Sequence, residues 1–183
     1  MRSAIFLSYP KPWYDNQKLF IERVVEYFQG RGFEPRTLGV TDYDMDAPMQ
    51  GVRRLLLECN GFAGVALRRA HIERGTRMVR GSDGELHAED SDDHWLTTPW
   101  VHIEPAMAFQ VGLPIVIFRE RGVVIDGVLD PGVAGIHMPE IDLDCDLDAY
   151  FSSNEWLQPI SQWEGRVRQV IARKGRPPAL YDG

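Results

Sequence analysis

The sequence predicts an α/β fold, a parallel sheet of about five strands with helices on both faces. Three observations lead there. Short continuous apolar runs recur at residues 4–8, 61–67 and 113–118, and strands buried on both faces read as continuous rather than alternating hydrophobicity. The segments between them carry apolar residues at helical spacing. Strand and helix patterns therefore alternate, the signature of parallel pairing. At 183 residues, 44% hydrophobic and 26% charged, the composition excludes a disordered chain, a collagen-like repeat and a coiled-coil rod.

Residues 4–8 give the first strand, stopped at Tyr9-Pro10. Residues 15–29 give a helix with Leu19, Phe20, Val24, Tyr27 and Phe28 on one face; Asp15 is the expected N-cap, and Gly30 and Gly32 stop it. Residues 33–38 form a second strand, weakened by Pro35. Residues 41–47 form an acidic loop, and Asp46 is placed to cap a helix over 48–59. Pro48 stands early in that helix, where its missing N–H costs nothing. Residues 61–67 are the third strand. Residues 68–98 lack periodicity and carry six acidic residues between Asp83 and Asp93. So long a structureless stretch is uncommon in a compact domain, and it reads as a mobile insertion beside the site.

Helix 101–111 follows, with Pro105 expected in its first turn. Residues 113–118 are the strongest strand signal. Residues 122–135 read as a loop with one short helical turn, and residues 136–143 as a fifth, edge strand that tolerates Pro139. Helices over 147–151 and 154–174 close the chain, with a bend expected at Pro159 and a frayed tail at 175–183. The chain reads as one domain over 1–183. Right-handed crossovers leave a flavodoxin-like strand order, with ligands at the carboxyl ends of the strands. That edge is expected to hold Ser8, Tyr9, the 41–47 loop, Arg68 and the turn 100–104.

Charge and motifs remove several functions. Twenty Lys and Arg against 27 Asp and Glu give a net charge of −7, which disfavours non-specific nucleic-acid binding. Cys59 and Cys145 are far apart, which suits a reducing compartment rather than a disulfide framework or thiolate metal site. No apolar run reaches the ~18 residues of a membrane span, and no targeting segment stands out, so a cytoplasmic location is expected. No phosphate loop, dinucleotide fingerprint, zinc-protease motif or nucleophile elbow occurs. Asp42-x-Asp44-x-Asp46 and Asp142-x-Asp144-x-Asp146 lack the glycine and the final glutamate of a calcium loop, so no metal is assigned.

The informative segment runs from Trp95 to Ala108. Glu104 is expected in the first turn of the helix leading into the fourth strand, where the dipole and free N–H groups favour its ionised form. A fixed carboxylate there can stabilise or attack an oxocarbenium-like sugar centre. Its other role would be to serve the dipole alone.

Ile5-Phe6-Leu7-Ser8-Tyr9 resembles the first strand of TIR domains. Glu104-Pro105-Ala106-Met107-Ala108, followed by Gly112-Leu113-Pro114-Ile115-Val116, resembles the E-x-x-x-A…G-x-P-hydrophobic element of nucleoside 2-deoxyribosyltransferases. The resemblance spans residues 3–118 and implies cleavage of an N-glycosidic bond, with Glu104 as the catalytic carboxylate. Through the TIR side it implies a place in antiviral defence or signalling, and it admits a homo-oligomer. Where the transferases carry aspartate and glycine after the third strand, this chain has Arg68-Arg69. Arginine suits phosphate, so a nucleotide or NAD is the expected substrate, with no separate cofactor.

The remaining candidates each have two readings. Ser8 and Tyr9 either contact ribose or base, or are a turn residue and a packed aromatic. Asp44 either binds a ribose hydroxyl or stays in an exposed loop. Trp95 and Trp100 either stack on a base or pack in the core. His102, two residues from Glu104, faces elsewhere and reads as structural. The alternative to an enzyme is a non-catalytic TIR-like module that binds a nucleotide or self-assembles.

Overall fold

A computed structural model describes residues 3–45, 47–173 and 175–177. In chain order the elements are β1 (Ser3–Ser8), α1 (Asp15–Gly30), β2 (Phe33–Arg36), α2 (Pro48–Glu58), β3 (Phe62–Ala66), β4 (Ala70–Ile72), β5 (Thr76–Arg80), β6 (Leu86–Asp90), β7 (His94–Leu96), α3 (Trp100–Gln110), β8 (Ile115–Arg119), a 3₁₀ turn (Gly127–Leu129), β9 (Ile136–His137), α4 (Leu147–Phe151) and α5 (Asn154–Ala172). The central sheet has five strands in the order β2-β1-β3-β8-β9, and every neighbouring pair is parallel. This is the flavodoxin-like α/β architecture.

Each inner strand buries both faces, so its apolar run feeds two cores. Ile5, Leu7, Ala63, Val65, Val116 and Phe118 point to one side, where Phe20, Val24 and Phe28 of α1 and Trp156, Ile160 and Trp163 of α5 cover them. Phe6, Phe62, Ala66, Ile115 and Ile117 point to the other, against Val52, Leu55 and Leu56 of α2 and Val101 and Ala108 of α3. The two-residue period of a strand sorts alternate residues to opposite cores.

Several details depart from the sequence expectation. Asp15 is the first residue of α1 rather than its N-cap; Tyr14 takes that place. The side chain of Gln17 reaches back to accept from the Trp13 and Tyr14 N–H groups, half of a capping box. Asp46 lies outside the described residues, as do Lys174 and 178–183 of the tail. Pro159 sits inside α5, which continues past it as one helix. The fifth strand is two residues long, although the backbone pairs again where Arg121 donates to Ile141 and Ile141 to Arg119. Residues 68–98 hold four strands, paired antiparallel as β4 with β7 and β5 with β6.

Candidate active site

The strand order places the site. β1 runs to β2 on one flank and has β3 on the other, so the chain reverses direction across the sheet between β1 and β3. Open α/β sheets form their ligand crevice at that reversal, beyond the carboxyl ends of the strands. Ser8 ends β1 there, 5% exposed. Across the crevice α3 presents Glu104, 8% exposed. The Ser8 hydroxyl donates a hydrogen bond to the Glu104 carboxylate.

These two groups form the floor of a pocket of about 350 Å³, within the range of small-molecule sites. One wall is the β1–α1 loop at Tyr9, Pro10 and Lys11. A second comes from Thr37 and Leu38 after β2 and from Pro48 at the start of α2. Thr98, Trp100 and Val101 supply the third. Trp100 is partly exposed. Thr37 donates to the Leu7 carbonyl at 2.8 Å, which ties the second wall to β1. The Tyr9 phenol is half-buried and desolvation pushes its pKa up, with a Thr37 hydrogen bond opposing.

Glu104 corrects the sequence reading in one respect. It is the fifth residue of α3, and no acidic residue lies in the first turn, so the unpaired N–H groups of the helix start do not reach it. Burial dominates and pushes its pKa from 4.5 up to about 7, against the downward pull of the Ser8 hydroxyl. The carboxyl is therefore close to half ionised at neutral pH. Pro105 is the sixth residue of the helix, not a first-turn residue. It has no N–H, so the Val101 carbonyl one turn earlier loses its intrahelical donor, and Val101 lines the pocket.

Ser8, Tyr9, Trp100 and Glu104 come together in this pocket. Arg68 and Asp44 are not among its lining residues. The Arg68 guanidinium donates to the Arg121 carbonyl, lies 3.8 Å from Glu120 and sits 5.6 Å from the Trp95 ring. Asp44 accepts from Arg54 at 3.2 Å, while neighbouring Asp42 is engaged by Arg36, which holds its carboxyl below the usual range. Arg36 of β2 and Arg54 of α2 thus engage Asp42 and Asp44. Trp95 stacks on His71 with ring centroids 4.6 Å apart. His102 lies 3.6 Å from Asp126 and outside the pocket lining.

Sequence reasoning missed three contributors. Lys11 is a cation on the pocket wall. Gln17, wholly buried, donates to Glu120 at 2.9 Å, and Glu120 accepts from the Arg68 N–H at 2.7 Å. This pair ties the β1–α1 loop to the ends of β3 and β8. Gln17 was findable as the third residue of a capping box; Glu120, following β8 directly, carried no comparable signal. Among the described residues, no group of three or more His, Cys, Asp or Glu is arranged to hold a metal ion, and no helix is long and apolar enough to cross a membrane.

No family model and no curated protein matches the chain. Among solved structures, it is similar to the Clostridium botulinum CMP N-glycosidase BcmB, with 17% identity over 65% of this chain and 70% of that one and a TM-score of 0.40. It is also similar to the TIR domains of the activated Roq1 resistosome directly recognising the pathogen effector XopQ, with 10% identity over 95% of this chain and 78% of that one and a TM-score of 0.40. At these values neither likeness assigns a role to any residue here.

Proposed function

We propose that this protein breaks the bond between a nucleobase and C1′ of the sugar in a nucleotide or in NAD. The observation that carries this reading is the buried Glu104 carboxyl, held by the Ser8 hydroxyl at the floor of a pocket at the sheet's carboxyl edge. The C1′–N bond breaks and its electron pair leaves with the base. The ionised Glu104 stabilises or traps the positive C1′. Water then supplies oxygen to C1′, and its proton goes to the base or to solvent. If a second base takes the place of water, the same chemistry is transfer. Trp100 offers a face to the base. Lys11 replaces Arg68 as the group that meets a phosphate, because it lines the pocket and Arg68 does not.

The test is to incubate the protein with NAD, nucleosides and nucleoside monophosphates and to separate the products by chromatography. Release of a free base supports the reading. Ligand binding with no product from any of them would instead make the pocket that of a nucleotide-binding module.

The ionised form of Glu104 does the work, so turnover should rise with pH through about 7 and level off above it. Ser8→Ala removes the hydrogen bond that lowers this pKa. The midpoint of the profile should move to higher pH, and turnover at neutral pH should fall roughly tenfold, the worth of one hydrogen bond to a charged group. A pH–rate profile on both proteins checks both results. A midpoint unmoved in the Ser8 variant would dissociate this hydroxyl from the acid.

A further inference from the structure

Arg69, like its neighbour Arg68, is not among the residues that line the pocket. It nevertheless joins two of the pocket's walls. Its backbone N–H donates to the Leu96 carbonyl at 2.9 Å, two residues before Thr98 of the third wall. Its guanidinium donates to the Lys11 carbonyl in the β1–α1 loop at 2.6 Å. The same guanidinium lies over the Trp13 ring, 3.8 Å from the centroid, an attractive placement of a cation on an aromatic face. The loop it holds is stiff. Lys11 stands between Pro10 and Pro12; proline fixes its own φ and confines the residue before it to extended backbone. A clamp on the Lys11 carbonyl therefore fixes where the Lys11 side chain leaves the chain. Charge adds to this. Among the described residues, neither Lys11 nor Arg69 is in an ion pair, whereas Arg36, Arg54, Arg119 and Arg121 each are. In a chain of net charge −7, these cations make a local positive patch beside the pocket, and a local field of that kind draws small anions.

We infer that Arg69 is a positioning residue: it holds the Lys11 carbonyl and so sets the Lys11 ammonium where it meets the phosphate of a nucleotide, without touching the ligand itself. The inference rests on the role given to Lys11 above. Its consequence is selectivity. A phosphorylated ligand gains the Lys11 contact and the matching nucleoside does not, so the ratio of their affinities reads the placement of that ammonium. Arginine suits the task because one rigid, planar group stacks on the indole and donates to the carbonyl at the same time; an ammonium on a flexible stem does not hold both. The role extends to residues 68–98. Their foot, where β4 and β7 pair at Ala70 and Leu96, carries the arginine that fixes the phosphate side of the pocket.

The test is titration calorimetry of the full chain with the common ribonucleoside 5′-monophosphates and their nucleosides, in the Glu104→Gln background so that turnover does not consume the ligand. This parent should bind a monophosphate more tightly than its nucleoside. Lys11→Ala should lower that ratio roughly tenfold, the worth of one hydrogen bond to a charged group. Arg69→Ala should lower it roughly fivefold, within the coupling range of residues in contact. The double variant K11A/R69A should match K11A alone, because without the ammonium there is nothing left to position. Arg69→Lys should behave as Arg69→Ala although it keeps the charge, and it carries the test should circular dichroism show Arg69→Ala unfolded. Effects that add in the double variant, or a ratio restored by Arg69→Lys, would mean that Arg69 acts through its own charge and would overturn the inference. So would a parent with no preference for any monophosphate, or an Arg69→Ala ratio equal to the parent's. Base release is measured separately on wild type: a chain that binds monophosphates with this selectivity and releases no base would refute the chemistry at Glu104 and leave Arg69 in its place.

Discussion

Glu104→Gln should abolish base release while leaving the fold intact. Glutamine has nearly the shape of the acid and its amide oxygen can still accept from Ser8, so the floor of the pocket keeps its packing. What disappears is the negative charge at C1′. In a desolvated pocket, an electrostatic contact aimed at developing charge is worth on the order of 10³-fold in turnover or more, and loss of a covalent nucleophile costs at least as much. The measurement is single-turnover product release by chromatography on wild type and variant, with circular dichroism to establish equal folding. Turnover in the variant within tenfold of wild type would remove Glu104 from the chemistry and leave the pocket without a reacting group.

Much of this architecture was legible in the sequence, because the two faces of each inner strand demand apolar residues without interruption. β1, β3 and β8 lie within one or two residues of their expected bounds, as do α1, α2 and α3. The carboxyl edge follows from the alternation of strand and helix, and with it the meeting of Ser8 and Glu104. The four strands within 68–98 were not legible for the opposite reason. Thr76-Arg77-Met78-Val79-Arg80 is exposed on both faces, so burial imposes no two-residue pattern on it. Arg68 was misplaced as a pocket residue because its partner Glu120 lies far along the chain, at the end of a different strand. Asp44 was misplaced because Arg54, a full loop and a helical turn later, takes its carboxylate. Contacts of that range leave no local trace. The charge state of Glu104 was misread because the helix begins at Trp100 and burial outweighs a dipole four residues away.

The same burial gives the second large effect, on stability. In the unfolded chain Glu104 titrates near its ordinary 4.5, and in the fold near 7. Below the lower value both states hold the proton and the acid costs the fold nothing. As pH rises between the two, the unfolded chain ionises while the folded chain does not, so the native state loses stability. Above about 7 both states are ionised and the whole penalty stands, about 3 kcal/mol for a displacement of this size. Glutamine is neutral throughout and escapes it. Glu104→Gln should therefore be more stable than wild type by about 3 kcal/mol at about pH 8 and gain almost nothing at about pH 4. For a chain of this length that is roughly 6–12 °C in the unfolding midpoint. Any fixed difference in amide packing is the same at both pH values and cancels from the comparison, so thermal unfolding of both proteins at the two pH values isolates the charge. An equal gain at both would mean that the acid is solvated in the fold. A gain confined to the alkaline side would show a chain holding a carboxylate in its interior at the expense of its own stability, and folded proteins maintain such a group against that cost chiefly where it does chemistry.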